Sequence, residues 1–186
     1  MYALLDEELL QKIGWSIEQF AKKAKSVNAQ IIQYRNKRDS LDEIKSRLKE
    51  IVLLFDGVVI INDYHQLTHL CHGLHIGQED LKDFGLSPQE AVLNLRKEIG
   101  KKAWLGLSTH NVKEIEIANT LPLDYIGLGA YRNTQTKSVR NILGDALPKL
   151  AKLSRHPVAA IGGVKLNDKI DNVSYLVVGS ALYTQE

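Results

Sequence analysis

The chain has 186 residues, of which 44% are hydrophobic and 25% are charged, a composition typical of one globular domain with a sizeable core. Its formal net charge is +2, from 24 Lys+Arg against 22 Asp+Glu, which excludes a global field that would demand nucleic acid or an anionic membrane. No apolar run approaches the roughly 20 residues that span a bilayer, and the single cysteine, Cys71, cannot form an internal disulfide. We expect one domain over residues 1–186, in a reducing cytoplasm, with no nucleic-acid or membrane partner.

Eight short apolar runs, rich in Val, Ile and Leu, are predicted to be strands. In chain order they are Tyr2–Leu5, Ala29–Tyr34, Val58–Asn62, Gly73–Ile76, Ala103–Leu107, Asp124–Gly129, Val158–Ile161 and Tyr175–Val178. Each run is continuous rather than alternating, which is typical of parallel strands buried on both faces.

Amphipathic segments between these runs are predicted to be helices. They are Ser16–Lys25, Leu41–Leu54, Pro88–Ile99 after Ser87 as its N-cap, Val112–Asn119 and Ala146–Leu153. Helical segments that alternate with parallel strands imply right-handed crossovers. The order of elements therefore predicts either a doubly wound sheet or a barrel.

The length limits how much helix such a barrel can contain. Eight units share about 23 residues each, against about 30 in an ordinary barrel of about 250 residues. The weakest helices are those after Asn62, after Gly163 and after the last strand, where only Gly179 to Glu186 remain. We expect an α/β protein, a compact (β/α)8 TIM barrel with a shortened or missing final helix. The segment Glu7–Ile13 or a second copy of the chain, as a homodimer, should cover the apolar surface that this helix leaves.

Polar residues and glycines follow the predicted strands, where the carboxyl ends of parallel strands converge on one mouth. They are Gln33, Arg35 and Lys37 after strand two; Asn62 and Asp63 after strand three; Asp80 after strand four; Ser108 after strand five; Thr134, Thr136 and Lys137 after strand six; Gly163 after strand seven; and Gly179 and Ser180 after strand eight. Clusters so far apart in the sequence would meet in space only in this fold.

The residue types indicate phosphate chemistry. Arg35 and Lys37 alternate along an extended segment, so both can point to one side and hold phosphate oxygens. Asp63 and Asp80 are hard oxygen ligands that, with a substrate phosphate, would suit Mg²⁺. Glycines after strands seven and eight allow backbone N–H groups to approach a phosphate. Two anion sites, one with a metal, favour two phosphorylated substrates.

Structural interpretations of the same residues stay open. Asp63 or Asp80 could cap a helix, the two threonines could satisfy loop backbone, and the two cations could form a solvated face. The strand pattern around His75 favours a structural role for that side chain.

A cluster of histidines provides one alternative site. The spacing of His65, His69 and His72 would place metal-ligand side chains on one helical face, as in a zinc site. The connection there has about ten residues, which is too short for a helix of three turns at about 3.6 residues per turn. We interpret these histidines as surface or packing residues.

Several motifs carry a resemblance to a known family. The most specific are Gln33-Tyr34-Arg35-Asn36-Lys37, His75-Ile76-Gly77-Gln78-Glu79-Asp80 and Thr134-Gln135-Thr136-Lys137. Ile61-Asn62-Asp63, Ser108-Thr109-His110-Asn111, Asp124-Tyr125-Ile126-Gly127 and Ala160-Ile161-Gly162-Gly163 complete the expected order. From strand one to strand eight, the chain resembles thiamine phosphate synthase.

The resemblance implies condensation of a hydroxymethylpyrimidine diphosphate with a thiazole phosphate, with release of pyrophosphate through a pyrimidine carbocation. It assigns Gln33, Arg35, Lys37 and Asn62 to the pyrimidine diphosphate, Asp63 and Asp80 to Mg²⁺, and Ser108 and Lys137 to completing that site, with Arg35, Lys37, Ser108 and Lys137 as the catalytic residues. It assigns Thr134, Thr136, Gly163, Gly179 and Ser180 to the thiazole phosphate.

Some positions depart from the family pattern. Gly129-Ala130 stands where the family usually has Gly-Pro, and Gly179 stands where it usually has an aliphatic residue. A thiazole tautomerase, which shares the fold and has a histidine at the position of Ala130, is the alternative enzyme. A non-catalytic protein that binds a phosphorylated ligand is the alternative from another class. The chain keeps the metal set and lacks that histidine, which favours the synthase.

Overall fold

Eight parallel strands close into a barrel in the order β1 to β8. The computed structural model describes residues 1–133 and 142–183. The strands are β1 Tyr2–Asp6, β2 Ile31–Arg35, β3 Val58–Asn62, β4 Gly73–Ile76, β5 Trp104–Thr109, β6 Tyr125–Leu128, β7 Val158–Ala160 and β8 Tyr175–Val178. Tyr2 pairs with Val177 and Ala3 with Val178, so the first and last strands are neighbours. The barrel is confirmed over the open sheet.

Helices surround the barrel unevenly. The α-helices are α1 Glu7–Ile13, α2 Ile17–Ser26, α3 Leu41–Leu54, α4 Pro88–Ile99, α5 Val112–Ala118 and α6 Leu147–Ala151. The side chains of Ser16, Ser40 and Ser87 cap α2, α3 and α4 by accepting a backbone N–H, which stabilises each first turn. None of the helices in the described residues is both long enough and apolar enough to cross a membrane.

Short connections replace the helices that the length cannot supply. Single 3₁₀ segments occur at His65–Leu70, Gln78–Asp83, Gly144–Ala146 and Ser180–Leu182. Residues 161–174, between β7 and β8, contain turns and bends without a helix. The weak helices after Asn62, after Gly163 and at the end of the chain were therefore predicted at the right places.

Three strands, β1, β2 and β5, extend further toward the mouth than their predicted apolar runs. Arg35 is the last residue of β2 and pairs in register with Asp6. Ser108 lies within β5 and pairs with Gly127 of β6. The apolar pattern ends earlier because these residues face the mouth, whereas the backbone ladder continues through them.

The barrel interior has its own apolar cluster, separate from the larger core between strands and helices. Its members are Tyr2, Leu4, Ile31, Ile60, Tyr125, Ala159 and Val177. The ring of Tyr125 lies over Gly106, where an added Cβ would be 2.1 Å from its Cζ. This cluster forms a packed floor beneath the polar mouth.

The end of the chain covers its own apolar surface. Leu182 is fully buried, and the ring of Tyr183 lies 5.0 Å from that of Trp15 and 5.7 Å from that of Phe20. Leu10 of α1 is buried in the same core. The surface left by the short final helix is thus closed partly by Leu182 and Tyr183, and cover by Glu7–Ile13 stays a prediction. A homodimer stays a prediction.

Candidate active site

Arg35 is held at the mouth by a carboxylate from the neighbouring strand. Its guanidinium forms an ion pair with Asp6, whose side chain is only 5% exposed. Asp6 also accepts the backbone N–H of Leu9 and so caps α1. Asp6 was not among the predicted site residues, although an acidic residue directly after predicted strand one was a usable signal.

Lys37 leans the other way, toward β3. Its Nζ lies 3.0 Å from Oδ2 of Asp63. Asp63 has a φ of 68°, a left-handed conformation that Asp and Asn tolerate better than most residues. Its backbone N–H donates to the carbonyl of His75 at 2.9 Å. The two cations therefore reach the same mouth but contact carboxylates of different strands.

Asp80 folds back on its own loop beside Asp63. Its Oδ2 accepts the backbone N–H of Gly77 at 3.0 Å, and a Cβ on Gly77 would lie 2.9 Å from that oxygen. Burial raises the pKa of Asp80, and the charge of Asp63 raises it further. Asp80 thus makes the capping contact, and the two carboxylates also repel each other, which favours a cation between them.

Gln33 and Asn62 lie inside the barrel at the base of the mouth. Gln33 is 3% exposed, and its Nε2 donates to Oδ1 of Asn62 at 2.7 Å. The hydroxyl of Tyr2 donates to Oε1 of Gln33 at 3.0 Å. Both amides are therefore held by hydrogen bonds as well as by packing.

Ser108 lies across the barrel from those amides and contacts His75. Its Oγ is 3.0 Å from Nε2 of the imidazole, and Nδ1 of the same ring is 2.9 Å from the hydroxyl of Tyr125. Gln78 donates to the carbonyl of Ser108 at 2.8 Å, which links the end of β5 to the loop after β4. His75 is buried, as its strand pattern predicted, and it also contacts a predicted site residue.

Two glycines after β7 shape the opposite side of the mouth. Gly162 and Gly163 have φ of 89° and 64°, which favours glycine at both positions. An added Cβ on Gly163 would lie 2.7 Å from Cβ of Arg132 and from the carbonyl oxygen of Asn133. Arg132 donates to the Gly163 carbonyl at 3.1 Å and binds both oxygens of Asp168 at 2.6 and 3.0 Å.

Two of the remaining predicted residues come directly after β8. Gly179 follows β8, and an added Cβ there would have an ordinary contact of 3.6 Å with Leu4, so a Cβ is tolerated at this position. Ser180 begins the final 3₁₀ segment. Thr134, Thr136 and Lys137 lie outside the described residues.

The histidine cluster is dispersed over separate contacts. His65 lies 3.3 Å from Glu98, Nδ1 of His69 lies 2.9 Å from the carbonyl of Gln66, and Nδ1 of His72 accepts the backbone N–H of Val59. Within residues 1–133 and 142–183, no three His, Cys, Asp or Glu side chains are arranged to hold a metal ion. The contacts support the packing interpretation.

A closed barrel with cations and carboxylates on one side of its mouth and a double-glycine turn on the other is typical of enzymes that act on small phosphorylated molecules. Residues 1–184 match the thiamine monophosphate synthase family model. The chain therefore belongs to the thiamine monophosphate synthase family, whose members are transferases.

Named relatives agree with this assignment. The chain is 32% identical over 177 residues to a thiamine-phosphate synthase of Persephonella marina, covering 92% of this chain and 79% of the relative. It is 31% identical over 172 residues to a thiamine-phosphate synthase of Koribacter versatilis, covering 88% and 77%. The solved thiamine phosphate pyrophosphorylase of Pyrococcus furiosus has a TM-score of 0.75 at 20% identity, covering 97% of this chain and 85% of that one, and shares the fold.

Proposed function

We propose that the chain condenses hydroxymethylpyrimidine diphosphate with a thiazole phosphate to give thiamine phosphate and pyrophosphate. The C–O bond between the pyrimidine methylene and the diphosphate breaks, and the diphosphate leaves with the bonding electrons. The thiazole nitrogen forms the new bond to the methylene carbon. Family membership supports this reaction, and the arrangement at the mouth supports the placement of its substrates.

The observation that carries the placement is the set of charges around Asp63. Arg35 and Lys37 flank the mouth, each beside one carboxylate, and Asp80 has a raised pKa partly because Asp63 is near. The side chain of Lys37 is 48% exposed, so it can turn from Asp63 to a diphosphate oxygen. Positive charge that follows the departing diphosphate lowers the barrier, because it acts most strongly as negative charge develops.

Asp63 and Asp80 fit a divalent cation, and Mg²⁺ is the ion we propose. Two carboxylates completed by diphosphate oxygens are a usual magnesium site, and the mutual repulsion of these two would be relieved by it. When bound, the ion would neutralise charge on the leaving diphosphate. The oxygens of the leaving diphosphate would also be bound and oriented by Arg35, Lys37, Ser108 and Lys137.

The other substrate would occupy the opposite side of the mouth. Gly163 and Gly179 allow backbone N–H groups to approach its phosphate, and Ser180, Thr134 and Thr136 would donate hydroxyl hydrogen bonds to it. Neutral donors suffice for this group, because it does not depart. Gln33 and Asn62, with their amides inside the barrel, would bind the pyrimidine ring.

A coupled assay with both phosphorylated precursors and Mg²⁺ tests the proposal. Thiamine phosphate and pyrophosphate should form in equal amounts, and omission of either precursor or of the metal should abolish both. Isomerisation of a thiazole without pyrophosphate release would favour a tautomerase. Binding of both precursors without product would favour the non-catalytic alternative.

A further inference from the structure

Six polar side chains inside the barrel form one continuous hydrogen-bonded chain. In order along it they are Asn62, Gln33, Tyr2, Tyr125, His75 and Ser108. They come from six of the eight strands. The two ends belong to the proposed substrate site, whereas Tyr2, Tyr125 and His75 in the middle have no role in it so far. This set of three is called the relay below.

The relay is closed off from solvent. Tyr2 and Tyr125 are each 1% exposed, and His75 is 7% exposed. Burial raises the pKa of both phenols well above the usual value, so each keeps its one proton. A phenol with one proton donates one hydrogen bond, and any further bond to its oxygen must be accepted.

The direction of every bond in the chain follows from the first one. The hydroxyl of Tyr2 donates to Oε1 of Gln33. The oxygen of Tyr2 therefore accepts a hydrogen bond from the hydroxyl of Tyr125, across their 2.9 Å contact. The oxygen of Tyr125 then accepts from Nδ1 of His75. In its neutral form the imidazole of His75 has one N–H, so its Nε2 then accepts a hydrogen bond from the hydroxyl of Ser108.

The opposite direction also satisfies all of these groups. If the side-chain amides of Gln33 and Asn62 rotate so that their nitrogen and oxygen exchange places, an N–H of Gln33 donates to the oxygen of Tyr2. Each later hydrogen bond in the chain then reverses its direction. Tyr125 then donates to Nδ1 of His75, and Nε2 donates to the oxygen of Ser108. The hydroxyl hydrogen of Ser108 then no longer donates to His75 and can point into the mouth.

We propose that Tyr2, Tyr125 and His75 are positioning residues that couple the hydroxyl direction of Ser108 to the amides of Gln33 and Asn62. The inference rests on the proposed function, since a diphosphate accepts hydrogen bonds and donates none. A bound diphosphate selects the direction in which Ser108 donates to it. That bond strengthens as the leaving group gains charge, so the relay acts on turnover more than on binding.

Interrupting the relay away from the substrate tests this coupling. Tyr125→Phe should lower kcat by about tenfold, the effect of one hydrogen bond that strengthens in the transition state, with little change in either KM. Tyr2→Phe should behave alike. In a Ser108→Ala background Tyr125→Phe should cause no further loss, because its effect passes through that hydroxyl.

Tyr183→Phe is the matched control. The hydroxyl of Tyr183 is also buried, but it has no hydrogen-bond partner among the described residues, so this variant should keep the wild-type kcat. An equal loss from Tyr125→Phe with and without Ser108 would overturn the relay. A change in KM with kcat unchanged would also overturn the relay.

The tautomer of His75 gives a test in the unmutated protein that does not depend on turnover. Nuclear magnetic resonance of ¹⁵N-labelled histidine should report the Nδ1–H form in the free protein and the Nε2–H form with Mg²⁺ and inorganic pyrophosphate. One tautomer in both states would overturn the relay and leave the proposed function standing. If pyrophosphate does not bind and no product forms, the proposed function fails and the relay with it.

Discussion

Asp63→Asn separates the metal site from the fold. Asparagine has the shape of aspartate and also tolerates the φ of 68° at this position, so the backbone should persist. The variant loses the ion pair with Lys37, whose side chain is 48% exposed. Pairs of this kind contribute about 0.2–1 kcal/mol. The repulsion between Asp63 and Asp80 disappears at the same time, which offsets part of the loss.

The expected result is a large effect on turnover with a small effect on stability. Without metal, the free energy of unfolding should change by less than about 1 kcal/mol. The rate of thiamine phosphate formation should fall at least about tenfold, because losing one of two charges on Mg²⁺ removes about 1.4 kcal/mol or more of transition-state stabilisation. Raising the Mg²⁺ concentration should recover part of the rate.

Steady-state kinetics over a range of Mg²⁺ concentrations, with thermal unfolding in parallel, would check this expectation. Asp56→Asn is the matched control, because it breaks the Lys25–Asp56 pair, also of 3.0 Å, away from the mouth. Full activity of Asp63→Asn with unchanged Mg²⁺ dependence would refute the metal assignment. A loss of activity that only follows unfolding would refute it as well.

Four further substitutions test other parts of the molecule. Arg35→Ala should lower kcat at least about tenfold in steady-state assays, because its contact strengthens as the diphosphate departs; an effect on KM alone would contradict this. Gly163→Ala should raise KM for the thiazole phosphate and lower the melting temperature, since its Cβ would lie 2.7 Å from the backbone carbonyl oxygen of Asn133. A rise in KM for the pyrimidine diphosphate alone would mean that the two substrate sites are assigned the wrong way round. Arg132 lowers the pKa of Asp168. Asp168→Asn should therefore reduce the free energy of unfolding by about 1 kcal/mol at pH values above the ordinary aspartate pKa, and this reduction should vanish as pH falls through the lowered pKa of Asp168. A reduction that stays constant with pH in denaturant titrations would argue against the ion pair. Gly106→Ala should cost about 2 kcal/mol or more in chemical denaturation, because its Cβ would meet the ring of Tyr125 at 2.1 Å; wild-type stability would show that the ring can move.

The local pattern of the sequence was enough to predict the strands and most of the helices, but it left both a barrel and a doubly wound sheet open. Continuous apolar runs marked all eight strands, apolar spacing marked α2 and α3, and Ser87 as an N-cap marked the start of α4. These signals are local, because strand and helix periods and N-caps depend on residues a few positions apart. The position of a residue after a parallel strand also placed Arg35, Lys37, Asp63 and Asp80 at one mouth, since all carboxyl ends of such strands face the same way.

Only the tertiary structure decided which of these groups contact each other. Arg35 binds Asp6 and Lys37 binds Asp63, although the sequence places both cations on one segment without choosing their partners. Tyr2 and Tyr125 are 123 residues apart and meet inside the barrel, where no local period relates one to the other. Closure of the barrel brings non-adjacent strands face to face across its interior, and small residues such as Gly106 leave the space in which their side chains meet. The sequence by itself determined most of the elements and the end of the barrel at which the polar candidate residues lie, whereas packing across the interior decided how those polar groups are connected.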